Sequence, residues 1–405
     1  MSSELADLTP LLEPRDGIPD VVASEDALEA AAAEMAVLEG PVAVDAERAS
    51  AYRYGQRAYL VQLRRAGAAP VLVDPMACPD LSVLDAALAD AEWVLHAASQ
   101  DLPCLAEVGL RPRRLFDTEL AGRLAGFERV GLASMVDTLL GFRLEKGHSS
   151  ADWSTRPLPL PWLRYAVLDV EPLLELRDAL EAVLVEQGKL DWAYQEFEAL
   201  CTAPPRPPRT DPWRRTSGIH KLRQRRDIAI VQSLWEARDE LARELDVSPS
   251  RLLPDSSIIA AARSKPANRA ALAELEAFNG RGSRRYLREW WEAMQRAVAL
   301  PEDELPDLVA PHDGPPPPAR WADRDPAAAA RLAIVRSTLN ALAERLELPV
   351  ENLLQPDAAR RLTWDPPTPA TTEAVFARLQ ELGARRWQCE LTAQPLAAAF
   401  LELTA

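Results

Sequence analysis

Acidic side chains at three places along this chain are spaced to act together on a cation. Asp45 and Glu47, in the segment AVDAE, end an apolar strand candidate that starts at Pro41. A strand alternates faces with period two, so both carboxylates project from one side. Like charges so placed repel each other unless a cation neutralises them. Asp101, in VLHAASQDLPCL, follows a short strand and stands near the start of a helix. Tyr165 and Asp169, in LRYAVLDVEPLLEL, are four residues apart on a helical stretch and share one face. Donors that are all oxygen suit a hard divalent cation such as Mg²⁺ or Mn²⁺. Each place alone has a plainer explanation, a turn or cap for the aspartates and a solvated face for the Tyr/Asp pair. The three together, in this order, carry the argument.

Other chemistries lack their residues. The chain has no GxxxxGK phosphate loop, no GxGxxG turn after a strand, no GxSxG elbow and no HExxH helix. Its four histidines, His96, His148, His220 and His312, show no metal-ligand spacing. Cys78, Cys104, Cys201 and Cys389 form no CxxC pair, which removes zinc knuckles and disulfide frameworks and leaves buried, reduced thiols. That chemistry, with an N-terminal segment lacking a basic and apolar leader and with no apolar run of about 18 residues, predicts a cytoplasmic protein outside the membrane.

The elements that must position these acids fall in the first half of the chain. At 405 residues the length suits two or three domains. A hydrophobic content of 48% and a charged content of 27% are those of a globular chain, not a membrane bundle or a disordered tail. Strand patterns at Pro41 to Ala46, Tyr59 to Leu63, Val71 to Val73 and Trp93 to Leu95 precede helical patterns at Leu81 to Ala91 and Tyr165 to Gln187. This is a mixed α/β arrangement. Two proline-rich stretches, Ala203 to Pro212 and the region around Pro315 to Pro318, read as linkers. They divide the chain into residues 1–202 (core about 18–196), 213–300 and 325–405, with linkers at 203–212 and 301–324. The later blocks are helical throughout, at Ile228 to Leu245, Ala270 to Phe278, Tyr286 to Val298, Ala330 to Leu346 and Glu373 to Leu382. LARELDVSPSRLLPD, from Leu241, resembles LAERLELPVENLLQPD, from Leu342, which points to two copies of one helical module.

The order DxE, then HAxSxDL, then YxxxD resembles the DEDD 3′–5′ exonucleases, in the subgroup with Tyr in the last motif. The intervening text, LFDTELAGRLAG, LEKGHSSADWSTRPL and YAVLDV, is similar to the ribonuclease D family over about residues 18–196, and the helical repeats resemble the HRDC module. The resemblance implies a ribonuclease H-like α/β domain, its mixed sheet flanked by helices, followed by two small all-α HRDC-type domains. It implies a hydrolase that removes nucleoside 5′-monophosphates from RNA 3′ ends, such as those of tRNA precursors. Two divalent cations, Mg²⁺ or Mn²⁺, would be held by Asp45, Glu47, Asp101 and Asp169. Asp45 would bridge them, Glu47 and Asp169 would complete the nucleophile side, and Asp101 would serve the leaving group. Tyr165 would orient the attacking water, being neutral at pH 7. Many relatives have Thr between the two acids and an aromatic residue after the Glu, where this chain has Ala46 and Arg48. A DNA exonuclease would use the same acids, and a non-catalytic nucleic-acid scaffold is the alternative of a different kind, although none of the four acids is missing.

The net charge is −16, so an RNA partner must meet local basic exceptions. Lys146, His148 and Arg156 are candidate phosphate contacts, and Trp153 either stacks on a base or packs in the core. Arg206, Arg209, Arg214, Arg215, Lys221, Arg223, Arg225 and Arg226 form one basic cluster. Arg281, Arg284, Arg285 and Arg288 form another beside Tyr286 and Trp290. At least one of them is expected to face RNA. Protein partners are unspecified.

Overall fold

A computed structural model describes residues 9–144, 147–148, 150–205, 207–309 and 314–402. In chain order the first region contains β1 (Thr9–Leu11), β2 (Val21–Val22), α1 (Glu25–Ala36), β3 (Val42–Arg48), β4 (Ala58–Arg65), β5 (Val71–Val73), α2 (Ser82–Ala87) and β6 (Glu92–Leu95). It continues through α3 (Leu102–Glu107), β7 (Arg114–Asp117), α4 (Thr118–Leu124), α5 (Leu132–Leu140), β8 (Phe142–Leu144), α6 (Leu160–Val170), α7 (Leu173–Glu186) and α8 (Leu190–Thr202). Six strands make one mixed sheet in the order β2-β5-β4-β3-β6-β7. Strand β3 lies at its centre, antiparallel to β4 and parallel to β6. Strands β1 and β8 pair separately, in parallel.

All four predicted strands form, and β3 runs on to Arg48, so Asp45 and Glu47 stand within the strand. Strand β2 has too few residues to give a period-two signal, and β7 (RLFD) has only two apolar residues between charged ends. The helix expected over Tyr165 to Gln187 is two helices, because Pro172 has no N–H to continue the ladder after α6. The stretch Leu81 to Ala91 shortens to α2.

The middle region comprises α9 (Arg225–Leu245), α10 (Pro249–Leu252), α11 (Asp255–Ser264), α12 (Arg269–Ala273), α13 (Arg281–Arg285) and α14 (Leu287–Ala299). It encloses its own core around Ile228, Leu234, Phe278 and Trp290. The last region comprises α15 (Trp321–Arg324), α16 (Pro326–Arg345), α17 (Val350–Leu353), α18 (Pro356–Trp364), α19 (Thr372–Glu381) and α20 (Arg386–Glu402). The two similar segments fold alike locally. A long helix, α9 or α16, is followed by a left-handed residue, Asp246 (φ +48°) or Glu347 (φ +50°), then by a four-residue helix and another helix. A left-handed step at a residue other than glycine costs about 1–2 kcal/mol, so its recurrence strengthens the case for duplication.

The last region is not a separate bead. Leu342, Leu379, Trp387 and Phe400 belong to the same apolar core as Val44, Leu180 and Phe197. Trp387 stacks on Trp192 at 5.0 Å between ring centroids and 9° between planes, and its indole N–H donates to Glu196 at 3.0 Å. The buried Lys189 ammonium donates to the carbonyls of Leu124 and Glu347, at 2.9 and 3.3 Å. Gly126 (φ +85°) lies so close to that turn that a Cβ would stand 2.4 Å from the Glu347 carbonyl oxygen. Among the described residues no helix is long and apolar enough to cross a membrane.

Gly126→Ala therefore meets both a left-handed backbone and another segment's carbonyl. The expected loss is about 2–5 kcal/mol of stability by urea unfolding. An unchanged midpoint would show that the two segments do not meet there.

Candidate metal centre

Strand β3 is buried on both flanks by β4 and β6, and its alternation aims Asp45 and Glu47 at helix α6. Helix α6 carries Tyr165 and Asp169 one turn apart on the facing side, where the phenol hydrogen-bonds the carboxylate. One carboxylate oxygen from each of Asp45, Glu47 and Asp169 lies within 4.8 Å of the others. Asp101 stands outside that triad, at the N-terminal end of α3, where its side chain makes no capping bond. All five predicted residues nevertheless line one cavity of about 610 Å³, together with Arg48, Ser50, Gln56 and His96.

The loop that delivers Asp101 is built by residues with no obvious chemical signal. Asp117, at the end of β7, accepts from the amides of Ala97 and Ala98 at 3.0 and 2.9 Å and from Glu119 and Leu120 at 3.0 and 3.2 Å. It thus caps α4 and pins the turn leading to Asp101, including the left-handed Ala97 (φ +61°). An Asp-Thr pair before a helical run is the sequence signal that could have found it. His96 shares a 2.9 Å hydrogen bond with Thr118, and burial pushes its pKa down to about 4, so it is neutral at pH 7.

Burial dominates the electrostatics of the acids. It raises the pKa of Asp169 well above the ordinary value, with the Asp45 charge adding and the Tyr165 hydrogen bond opposing. Burial also raises Glu47, followed by the charges of Asp45, Asp169 and Asp101. Asp101 and Asp45 are raised by burial too, with Arg48 opposing in both. The Tyr165 phenol is pushed upward by burial and by the neighbouring carboxylates, and keeps its proton. A partly desolvated cluster of carboxyls, all oxygen donors and mutually repulsive, fits a hard divalent cation. Arg48 crosses the cavity rim to Asp101, with Nη2 3.3 Å from Oδ1, and Nη1 donates to the Gln100 carbonyl at 2.9 Å.

The segment after Glu47 forms the rim and is held by the middle region. Ser248 N–H donates to the Tyr52 carbonyl and Arg251 to the Ala51 carbonyl, each at 3.0 Å. Tyr54 donates to Asp239, and Arg57 pairs with Asp246 at 2.7 Å.

Several expected RNA contacts are otherwise employed. Trp153 is fully buried, against Trp162 and Tyr165, and is a core residue that cannot stack on a base. Arg156 forks onto both oxygens of Asp74 at 2.6 Å and donates to the Tyr59 carbonyl, which removes it as a phosphate contact. His148 stands beside the rings of Trp162 and Tyr165, while Lys146 lies outside the described residues. In the first basic cluster, Arg226 serves carbonyls at the end of α14, Arg225 those of Leu305 and Pro306, Arg214 that of Asp307, and Arg223 those of His220 and Leu222. Apart from Arg223, these side chains satisfy orphan carbonyls at a helix end and in the linker. Arg209, Arg215 and Lys221 are exposed, and Arg206, like His312, lies outside the described residues. In the second cluster Trp290 is buried, Arg284 bonds Asn279 and Arg288 faces Glu289 and Glu292. Arg281 and Arg285 are exposed there, Arg285 over the Tyr286 ring.

Comparison with known proteins agrees with this geometry. Residues 19–185 match the family model described as 3′-5′ exonuclease, 227–294 that of the HRDC domain, and 314–400 that of the 3′ to 5′ exonuclease C-terminal domain. Ribonuclease D of Acidiphilium cryptum is 32% identical over 324 residues, 76% of this chain and 80% of the relative. Ribonuclease D of Gluconacetobacter diazotrophicus is 33% identical over 290 residues, 68% and 71% of the two chains. Among solved structures, a protein from Bifidobacterium adolescentis superposes with a TM-score of 0.89 at 40% identity, covering 97% of this chain and all of its own. Escherichia coli RNase D, an exoribonuclease involved in structured RNA processing, superposes with a TM-score of 0.69 at 26% identity, covering 95% and 98%. With an acidic cavity of this kind at the end of its central strand and relatives of this extent, the chain belongs to the ribonuclease D family of 3′–5′ exonucleases.

Proposed function

We propose that this protein is a metal-dependent 3′–5′ exoribonuclease that trims the 3′ ends of structured RNA precursors, such as those of tRNA, releasing nucleoside 5′-monophosphates. The observation that carries the reading is the triad of carboxylates whose donor atoms lie within 4.8 Å of one another, in surroundings that penalise their charge. Asp45, Glu47 and Asp169 would hold one cation and Asp101, with Asp45, a second, each Mg²⁺ or Mn²⁺. Such cations, when bound, lower the pKa of water and stabilise charge on the phosphate and its leaving oxygen.

The chain's own residues have distinct tasks. A central strand and a helix packed on it hold Asp45, Glu47 and Asp169 close before any ligand arrives, so little reorganisation opposes binding. Tyr165, its phenol protonated and hydrogen-bonded to Asp169, orients water without acting as a base. The rim formed by Ser50, Ala51 and Gln56 bounds the place where a 3′-terminal nucleotide would sit.

Asp45→Asn removes a charged donor worth several kcal/mol of transition-state stabilisation, and should lower single-turnover RNA cleavage on the order of 10³-fold while circular dichroism stays native. Comparable rates for the variant and the parent at saturating Mg²⁺ would overturn the assignment. Tyr165→Phe deletes one hydrogen bond to a charged group, about 1.5–3 kcal/mol, and should slow cleavage by roughly 10- to 100-fold. Incubation of the parent with 3′-extended tRNA and matched single-stranded DNA, with and without chelator, tests substrate class. Stepwise, chelator-sensitive shortening of the RNA is expected, and shortening of the DNA alone would replace the RNA assignment.

The pKa directions fix a pH dependence. Each acid has its folded pKa above the unfolded value, so metal-free stability is lost as pH rises from the ordinary carboxylate range toward those raised values. A cation removes that penalty and displaces protons. Ca²⁺ should therefore raise the Tm more at pH 8 than at pH 6. An equal shift at the two pH values would contradict the burial of these groups.

A further inference from the structure

Asp101 differs from the other three acids in already having a cationic partner. Arg48 follows Glu47 directly, and strict alternation would send it to the opposite face of the sheet. The β3/β4 register shifts between Glu47 and Arg48, and such an irregularity re-aims the next side chain. As a result two consecutive residues address the same cavity. Among the described residues that line the cavity, Arg48 is the only Lys or Arg, and the cavity's His96 is neutral at pH 7.

The contact it makes is loose. At 3.3 Å the Arg48–Asp101 pair is longer than the about 2.7–2.9 Å of a tight charge-assisted bond. Two contacts occupy a group with five N–H donors, and the side chain keeps 26% of its surface in water. Charge arithmetic says what the remaining capacity is for. Two divalent cations cancel four carboxylates, and an RNA phosphodiester then adds a negative charge that increases as water attacks. No other Lys or Arg among the described cavity-lining residues stands ready to offset it.

We propose that Arg48 is the substrate-phosphate ligand of this site, occupying Asp101 while no cation is there and turning its guanidinium onto the scissile phosphate once Asp101 is engaged. This rests on the exoribonuclease reading and deepens it. Asp101 then exchanges one positive partner for another. Arg48 is a substrate-binding residue in this scheme, held ready by the Gln100 carbonyl.

The test uses the full chain, with Arg48→Gln and Arg48→Lys, and reads binding. A fluorescent RNA oligonucleotide is titrated in Ca²⁺ at several salt concentrations, and Mn²⁺ is titrated calorimetrically into metal-free protein without RNA. Arg48→Gln should bind RNA about 10-fold more weakly, with a log K against log salt slope shallower by about 0.7, one phosphate contact's share on a single strand. Arg48→Lys should restore most of the slope. Mn²⁺ should bind Arg48→Gln as tightly as the parent or several-fold more tightly, because a competing cation has left Asp101. An unchanged RNA affinity and slope would overturn the proposal, and so would parallel losses of Mn²⁺ and RNA binding that Lys does not rescue, since these would mark a merely structural role. Parent protein that leaves RNA intact in Mg²⁺ would overturn the function itself and this inference with it. Parent protein that shortens RNA while Arg48→Gln retains its full salt slope would overturn this inference alone.

Discussion

Mutual repulsion among partly desolvated carboxylates is the constraint to which the rest of the molecule answers. Burial pushes every one of Asp45, Glu47, Asp101 and Asp169 toward the protonated form, and the ionised neighbours push Glu47, Asp101 and Asp169 further. Left to itself such a cluster would spread apart or draw in solvent. It holds because its members stand on rigid elements whose positions other interactions determine. Strand β3 has partners on both edges, and α6 packs across β3 and β4. Asp117 fixes the turn before Asp101 with two backbone bonds, from Ala97 and Ala98, and caps α4 with two more. The tension is tolerated because the site gains from it: a cation would find its donors already assembled.

The same logic extends to the rim. Residues 49–57 leave the central strand beside the acids and could be an unconstrained loop, yet the middle region meets them with backbone bonds at Tyr52 and Ala51 and side-chain contacts at Tyr54 and Arg57. A helical module is thereby coupled to the cavity through ordinary hydrogen bonds.

Asp45, Glu47 and Asp169 were legible in the sequence because their spacing is a local property. Period two in β3 and period four in α6 state which side chains share a face. The sheet's centre was legible for the same reason, since Val42 to Ala46 and Ala58 to Leu63 are apolar and β-branched enough to declare themselves. Contacts between distant segments were not. Arg156 reads as a free cation until Asp74, eighty-two positions away, is found beneath it. The arginines at 214, 223, 225 and 226 look like a phosphate-binding patch because a sequence shows charge and conceals the carbonyls that occupy it. Trp153 was equally consistent with a base-stacking platform and a core residue, and only the neighbouring aromatic rings decide between them. The register shift that re-aims Arg48 leaves no compositional trace.

The sharing of one apolar core between the first and last regions bears on how this polypeptide can be divided. Trp192 stacks on Trp387, about two hundred positions later, and the core that holds Leu180 and Phe197 also takes in Leu379 and Phe400. A fragment ending at Thr202 would keep every acid and still be an incomplete body, with a greasy flank on α8 open to solvent and Lys189 deprived of one acceptor. The smallest self-sufficient body of this nuclease is therefore its first and last regions pressed together, with the middle region inserted between them along the chain.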